Sequence, residues 1–286
     1  MAFKTLIDVD SLQKLLGEPR LTVIDCRFDL MNPDAGRQAY LQGHIPGARY
    51  AHLNHDLSAP IAAHTGRHPL PAPERFAAWA EANGIGDDTQ VVAYDDANGS
   101  FAARLWWMLR WLGHDAVAVL DGGFRAWNSS GGPVESGAPQ PQKASAGTRG
   151  FTPRIDAGGL VTAAELERAL QGPKVLLVDA RAAERFAGAV EPIDSVAGHI
   201  PGAVNHPFTA NLAADSRFLP AAELRAHWQQ RLAGKEPRDL VAMCGSGVTA
   251  CHNLLSLEVA GLTGGKLYGG SWSEWIRDPR RPIARG

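Results

Sequence analysis

The sequence predicts an α/β protein of two similar domains, each a parallel β-sheet flanked by helices on both faces. Two observations carry that prediction. Short β-branched runs alternate with helical patterns along the chain, the order that builds parallel sheets covered on both sides. The same marks also recur in the same order in both halves of the 286 residues, as in a duplicated domain.

In the first copy, apolar spacing predicts a helix over 12–16, a strand over 22–24, a helix over 74–83, a strand over 90–94, a helix over 102–112 and a strand over 116–120. The second copy answers mark by mark. Val23-Ile24-Asp25-Cys26-Arg27 corresponds to Leu177-Val178-Asp179-Ala180-Arg181, and Gly43-His44-Ile45-Pro46-Gly47-Ala48 recurs unchanged as Gly198-His199-Ile200-Pro201-Gly202-Ala203. Leu70-Pro71 with Trp79 corresponds to Leu219-Pro220 with Trp228, and Leu120-Asp121-Gly122-Gly123 to Leu267-Tyr268-Gly269-Gly270. The expected organisation is a first domain over 1–130, a linker over 131–158 rich in Gly, Pro, Ser and Ala, and a second domain over 159–286.

Composition narrows the function classes. Apolar residues make up 45% of the chain, enough for two cores, and the net charge of −2 offers no bulk attraction for nucleic acid. The apolar runs are too short to cross a bilayer, and the first residues lack the apolar core of a secretory leader, so a cytoplasmic protein is expected. Cys26, Cys244 and Cys251 form no disulfide framework and no metal-ligand spacing. His64 and His68 lie four residues apart, but glycine and proline surround them and no HExxH pattern appears. Neither a metal nor an organic cofactor is expected.

The chemistry concentrates in Cys244-Gly245-Ser246-Gly247-Val248-Thr249-Ala250, which follows the apolar run Leu240-Val241-Ala242-Met243 and precedes a helical pattern over 248–258. In an open parallel sheet, ligands gather beyond the carboxyl ends of the strands. Gly245 and Gly247 admit backbone conformations in which successive N–H groups face one centre beside a helix N-terminus. Such a cradle favours the thiolate, the form of cysteine that attacks electrophiles. In the first copy the corresponding residue is Asp95, followed by Asp96, so that loop is expected to repel an anion rather than gather one.

This combination resembles the rhodanese superfamily in its tandem form, and the loop is similar to that of the mercaptopyruvate-using sulfurtransferases. The resemblance covers nearly the whole chain and implies two tandem rhodanese-like domains, with the nucleophile confined to the second. It implies that Cys244 takes sulfur from 3-mercaptopyruvate as a persulfide, releases pyruvate, and passes the sulfur to a thiophilic acceptor such as cyanide, a thiol or thioredoxin. Thiosulfate is the alternative donor. Its users carry basic residues in this loop, whereas Gly245, Ser246 and Gly247 are neutral. Two other readings stand further off. A cysteine-dependent phosphatase would need an arginine at the far end of the loop, where Val248-Thr249-Ala250-Cys251 has none, and in a non-catalytic sulfur-carrying or interaction module the loop would tend toward that of the first copy with its Asp95, whereas Cys244 and its glycines are intact.

The resemblance also implies roles for single residues. Ser246 donates its hydroxyl to the transferred sulfur or to the substrate carbonyl. Arg185 holds the substrate carboxylate with its planar fork, with an ion pair to Glu184 or Glu191 as the alternative use. Arg181 secures local structure, since its twin Arg27 occurs in the copy without a thiol. The segment 56–68 closes over the site and contributes Asp56 and His68. The two Gly-His-Ile-Pro-Gly-Ala segments serve as structural turns. One departure stands out: where related enzymes show a second arginine in Glu-Pro-Arg, this chain reads Glu191-Pro192-Ile193-Asp194, so one carboxylate contact is expected to be missing. Two copies in one chain make an internal pseudo-dimer, and a monomer is expected.

Overall fold

The computed structural model describes residues 2–138 and 150–286. The centre of the expected linker, 139–149, lies outside the described residues. The chain divides into two compact units, Met1–Ala59 with Pro71–Asp156 and Asp215–Arg217, and Pro60–Leu70 with Ala157–Ala214 and Phe218–Gly286. The segment Pro60–Leu70 thus packs with the second unit, although it precedes most of the first in sequence.

The first unit runs β1 (Leu6–Ile7), α1 (Val9–Leu15), β2 (Leu21–Asp25), α2 (Ala35–Gln42), β3 (Arg49–Tyr50), α3 (Pro73–Ala82), β4 (Gln90–Tyr94), α4 (Ala102–Trp111), β5 (Val117–Leu120) and α5 (Gly123–Ser129). Its five strands form a parallel sheet in the order β1-β5-β4-β2-β3. Local chemistry sets the element ends. The helix expected over 12–16 starts earlier, at Val9, because Asp8 caps it by accepting a hydrogen bond from the Ser11 amide at 2.7 Å. Pro73 opens α3, where its missing N–H costs nothing. The strand expected over 22–24 is longer by a residue at each end, since β2 pairs with β4 from Leu21↔Gln90 to Asp25↔Tyr94.

The second unit runs α6 (Ala163–Ala169), β6 (Leu176–Asp179), α7 (Ala183–Phe186), β7 (Val204–Asn205), a 3₁₀ turn (Phe208–Asn211), α8 (Ala221–Leu232), a second 3₁₀ turn (Pro237–Asp239), β8 (Leu240–Met243), α9 (Thr249–Val259), β9 (Lys266–Leu267) and α10 (Ser271–Trp275). Its strands are parallel, in the order β7-β6-β8-β9. Helix α6 opens on a reciprocal capping box between Thr162 and Glu165. Among the described residues, no helix is long and apolar enough to cross a membrane.

The duplication read from sequence reappears in the packing. The first core gathers Leu12, Val23, Ile45 and Val92, and the second their counterparts Leu166, Leu177, Ile200 and Val241. In each unit an aspartate at the end of a strand binds an arginine two residues on. Arg27 Nη2 donates to Asp25 at 2.5 Å and to the Gly43 carbonyl, and Arg181 Nη2 donates to Asp179 at 2.7 Å and to the Gly198 carbonyl. These four side chains are buried, and each guanidinium lies over an aromatic ring, Phe124 for Arg27 and Trp272 for Arg181. A buried pair of this kind orders its loop, because removing either partner strands a charge out of water. Arg181 therefore belongs to the framework in the second unit as Arg27 does in the first.

The two Gly-His-Ile-Pro-Gly-Ala segments are structural in the same sense. His44 Nδ1 is 2.8 Å from the Tyr40 carbonyl and its ring stacks on Tyr40, while His199 Nδ1 is 2.8 Å from the Phe186 carbonyl and stacks on Phe186. Each histidine also forms an antiparallel bridge to a later segment, His44 with Glu135 and His199 with Ala284.

Candidate active site

Strand β8 is an interior strand of the second sheet, and its carboxyl end delivers Cys244 to the turn that enters α9. The helical pattern expected over 248–258 is α9, Thr249–Val259. Gly247 has φ +79°, and a Cβ there would stand 2.2 Å from the Gly269 carbonyl oxygen, so the turn requires glycine. With the chain held this way, the Gly247 amide donates to Cys244 Sγ at 3.1 Å. The loop is pinned from α10. Cys244 N donates to Ser271 Oγ at 3.0 Å, Trp272 N to the Cys244 carbonyl and Ser273 N to the Gly245 carbonyl.

Around this thiol the second unit assembles four more side chains. Ser246, two residues on, shares a 2.8 Å hydrogen bond with His68 Nδ1, and both are buried. Arg185 comes from the short helix α7, and its Nη1 and Nη2 would lie 3.7 and 3.6 Å from a Cβ on Gly245. Arg67 Nη2 would lie 3.0 Å from the same point. The Arg67 backbone N–H donates to Ser273 Oγ, which fastens the segment Pro60–Leu70 to α10. Burial pushes the Arg67 guanidinium below its usual range, and the nearby Cys244 charge opposes that shift.

Two acids complete the cluster. Glu191 Oε1 accepts from Arg185 Nη2 at 2.7 Å, and Glu191 Oε2 lies 3.4 Å from Arg181 Nη1. Asp194 bridges two arginines, with Oδ1 paired to Arg67 Nη1 and Oδ2 accepting from Arg185 Nη2 at 3.2 Å. The three cations Arg67, Arg181 and Arg185 are thus matched by three anions, Asp179, Glu191 and Asp194.

Of the residues singled out from sequence, Cys244, Gly245, Ser246, Gly247, Arg185 and His68 meet in the second unit, and Val248 and Thr249 lead from the loop into α9. Arg185 has both uses foreseen for it, facing the loop and pairing with Glu191. Asp56 lies in the first unit, where its Oδ2 accepts from the His52 amide at 2.7 Å and closes a local turn. Sequence reasoning did not single out Arg67. Its signal was its place beside His68 in Gly66-Arg67-His68, and the Ile193-Asp194 departure had marked the acid it would meet.

Cys26 is buried as Cys244 is, and there burial pushes the thiol well above the ordinary value, with Asp95, Asp25 and Asp56 adding to the effect.

A parallel sheet with a thiol presented between its strand end and a helix start, built twice with the thiol in one copy, defines a class. The rhodanese-like domain family matches residues 8–130 and 162–278, and the chain belongs to that family. Over its full length it is 50% identical to a Pseudomonas aeruginosa protein named "Probable 3-mercaptopyruvate sulfurtransferase", whose full length is also covered. It is 42% identical over 270 residues, covering 94% of this chain and 92% of the other, to a Mycobacterium tuberculosis protein provisionally named thiosulfate sulfurtransferase SseB. Among solved structures, 3-mercaptopyruvate sulfurtransferase from Leishmania major matches with a TM-score of 0.84 at 34% identity, over 96% of this chain and 76% of the other.

Proposed function

We propose that this chain moves sulfur from 3-mercaptopyruvate through a persulfide on Cys244 to a thiophilic acceptor, cyanide or a thiol such as that of a thioredoxin-like protein, and releases pyruvate. The observation that carries the reading is the Cys244 loop. It holds a thiol at a helix N-terminus, accepts a backbone N–H on sulfur, and contains no charged side chain from Gly245 to Ala250.

The chemistry follows from these positions. The Cys244 thiolate attacks the substrate sulfur, forming an S–S bond as the bond from sulfur to C3 breaks. The electron pair of that bond passes to C3 as the enolate of pyruvate, and the substrate thiol proton ends on C3. Thiolate and mercaptopyruvate thereby become enzyme persulfide anion and pyruvate, with atoms and charge balanced. Ser246, bonded with His68, supplies its hydroxyl to the developing enolate oxygen and serves as the relay for that proton. Arg185 orients the carboxylate. In the second step an acceptor thiolate or cyanide attacks the outer sulfur and Cys244 leaves as thiolate.

The balanced charge of the cluster favours a monoanionic donor. A thiosulfate dianion would add two charges to a set of three cations already matched by three anions. The relative provisionally named a thiosulfate sulfurtransferase keeps thiosulfate as the second reading. Steady-state kinetics with both donors, on wild type and Cys244→Ser, tests the proposal. The expected result is a higher kcat/KM for 3-mercaptopyruvate, and no transfer with either donor in the variant. Transfer surviving in Cys244→Ser would overturn the persulfide route, and a preference for thiosulfate would overturn the choice of donor. The reading extends to a monomeric, cytoplasmic enzyme.

A further inference from the structure

Arg67 and Arg185 meet at Gly245 of the Cys244 loop. Three observations lead there. First, Arg67 Nη2 and Arg185 Nη1 both face Gly245, at 3.0 and 3.7 Å from its Cβ position, and neither nitrogen donates to any described residue. Two guanidinium edges with open donors converge on the loop that carries the thiol. Second, Arg67 Nη1 and the Nε and Nη2 of Arg185 are occupied in a way that fixes the aim of both side chains. Asp194 takes Arg67 Nη1 and a share of Arg185 Nη2, while Glu191 takes Arg185 Nε and Nη2. The Arg67 and Arg185 side chains are 22% and 16% exposed, so both are held yet reachable. Third, Asp194 already shows that one carboxylate can engage Arg67 and Arg185 together, one oxygen to each.

We propose that Arg67 binds the donor carboxylate jointly with Arg185, and that Asp194 is the anchor holding the two guanidinium groups together at that spacing. The contact expected to be missing at Glu191-Pro192-Ile193-Asp194 is thereby restored from a different segment. The acid at 194 is part of the arrangement, since without it two partly buried like charges would repel across the loop. Gly245 has its own explanation here: any side chain at that position would occupy the space between the donors and the loop.

The inference rests on the reading of the site as one for a 2-oxo carboxylate carrying a thiol, and its test separates the two. Wild type and Arg67→Gln are compared with 3-mercaptopyruvate and with mercaptoacetone, which keeps the ketone and thiol but lacks the carboxylate. The ratio of kcat/KM for the two donors is the readout, because loss of folded protein cancels in it. A charge-assisted hydrogen bond is worth about 1.5–3 kcal/mol, so the ratio should fall by about 10- to 100-fold in Arg67→Gln. An unchanged ratio, with or without loss of overall activity, would overturn the assignment. Arg67→Lys is read the same way should Arg67→Gln not fold. Calorimetric binding of pyruvate to Cys244→Ser and to Cys244→Ser with Arg67→Gln needs no turnover. A tenfold or greater weakening there supports the carboxylate site even if wild type fails to use 3-mercaptopyruvate, which would sink only the reading of the reaction. Equal affinities would overturn the role of Arg67.

Discussion

The loops that follow β4 and β8 leave corresponding strands of two copies of one domain, yet they hold opposite contents. After β8 the residue at the strand end is Cys244, whose sulfur accepts the Gly247 N–H and faces a neutral loop. After β4 it is Asp95, fully buried, whose two carboxylate oxygens accept four backbone N–H groups, from Ala97 and Gly99 on one side and from Phe101 and Ala102 on the other. Burial pushes the Asp95 carboxyl up, against the four amides that favour its anion. The first loop, expected to repel an anion rather than gather one, holds its own anion, which takes the inward amides of Ala97, Gly99, Phe101 and Ala102. Helix α4 starts at Ala102, seven residues after Asp95, whereas α9 starts at Thr249, five after Cys244. The longer first loop has room to wrap its carboxylate. Corresponding loops serve as an internal cap in one copy and as a thiol site in the other, and they differ both in the residue at the strand end and in length.

The sharpest way to break this comparison is to give the second loop the residue of the first. Cys244→Asp should lower kcat/KM by at least about 10⁴-fold, because a carboxylate cannot form the persulfide. Intact-mass measurement after exposure to donor should show no added sulfur, and any sulfur retained would contradict the assignment of the nucleophile. The converse cut, Asp95→Ala, leaves three buried amides and one partly buried amide without their acceptor and should cost about 3 kcal/mol of stability. A denaturant midpoint unchanged from wild type would mean that the first cradle does not need its anion. A smaller effect is expected from Gly245→Ala. Its Cβ would stand 3.0 Å from Arg67 Nη2, so the guanidinium must retreat and KM for 3-mercaptopyruvate should rise about tenfold. Ser246→Ala is the mildest toward the fold, since Ala97 already occupies the corresponding place in the first loop. Loss of one hydroxyl donor should reduce kcat about tenfold with little change in folding stability, and an unchanged kcat would remove Ser246 from the proton route.

Much of this was legible in the amino-acid order. The alternation of strand and helix, the twofold repetition and the loop at Cys244 are all local patterns, and the structure returns them with element ends moved by a residue or a few. Gln90–Tyr94 is the expected strand unchanged, and α1 begins earlier than expected because Asp8 caps it. The structural use of Arg181 and of the two His-Ile-Pro-Gly turns was legible too, because each appears in the copy that has no thiol. What was not legible was the company that distant residues keep.

Sequence alone therefore determined the class of fold, its duplication, and which strand end carries the reactive thiol, because periodicity, helix caps and glycine turns act over a few residues and leave their marks in order along the chain. Only the tertiary structure decided that Arg67 joins Arg185 over Gly245, that Asp194 bridges them, that His68 meets Ser246, and that Asp95 turns inward. Arg67 and Asp194 lie 127 residues apart, and His68 and Ser246 lie 178 apart. Such pairs leave no shared local pattern, since they form where packing of the second unit brings buried charges and polar groups within reach of partners that water would otherwise supply.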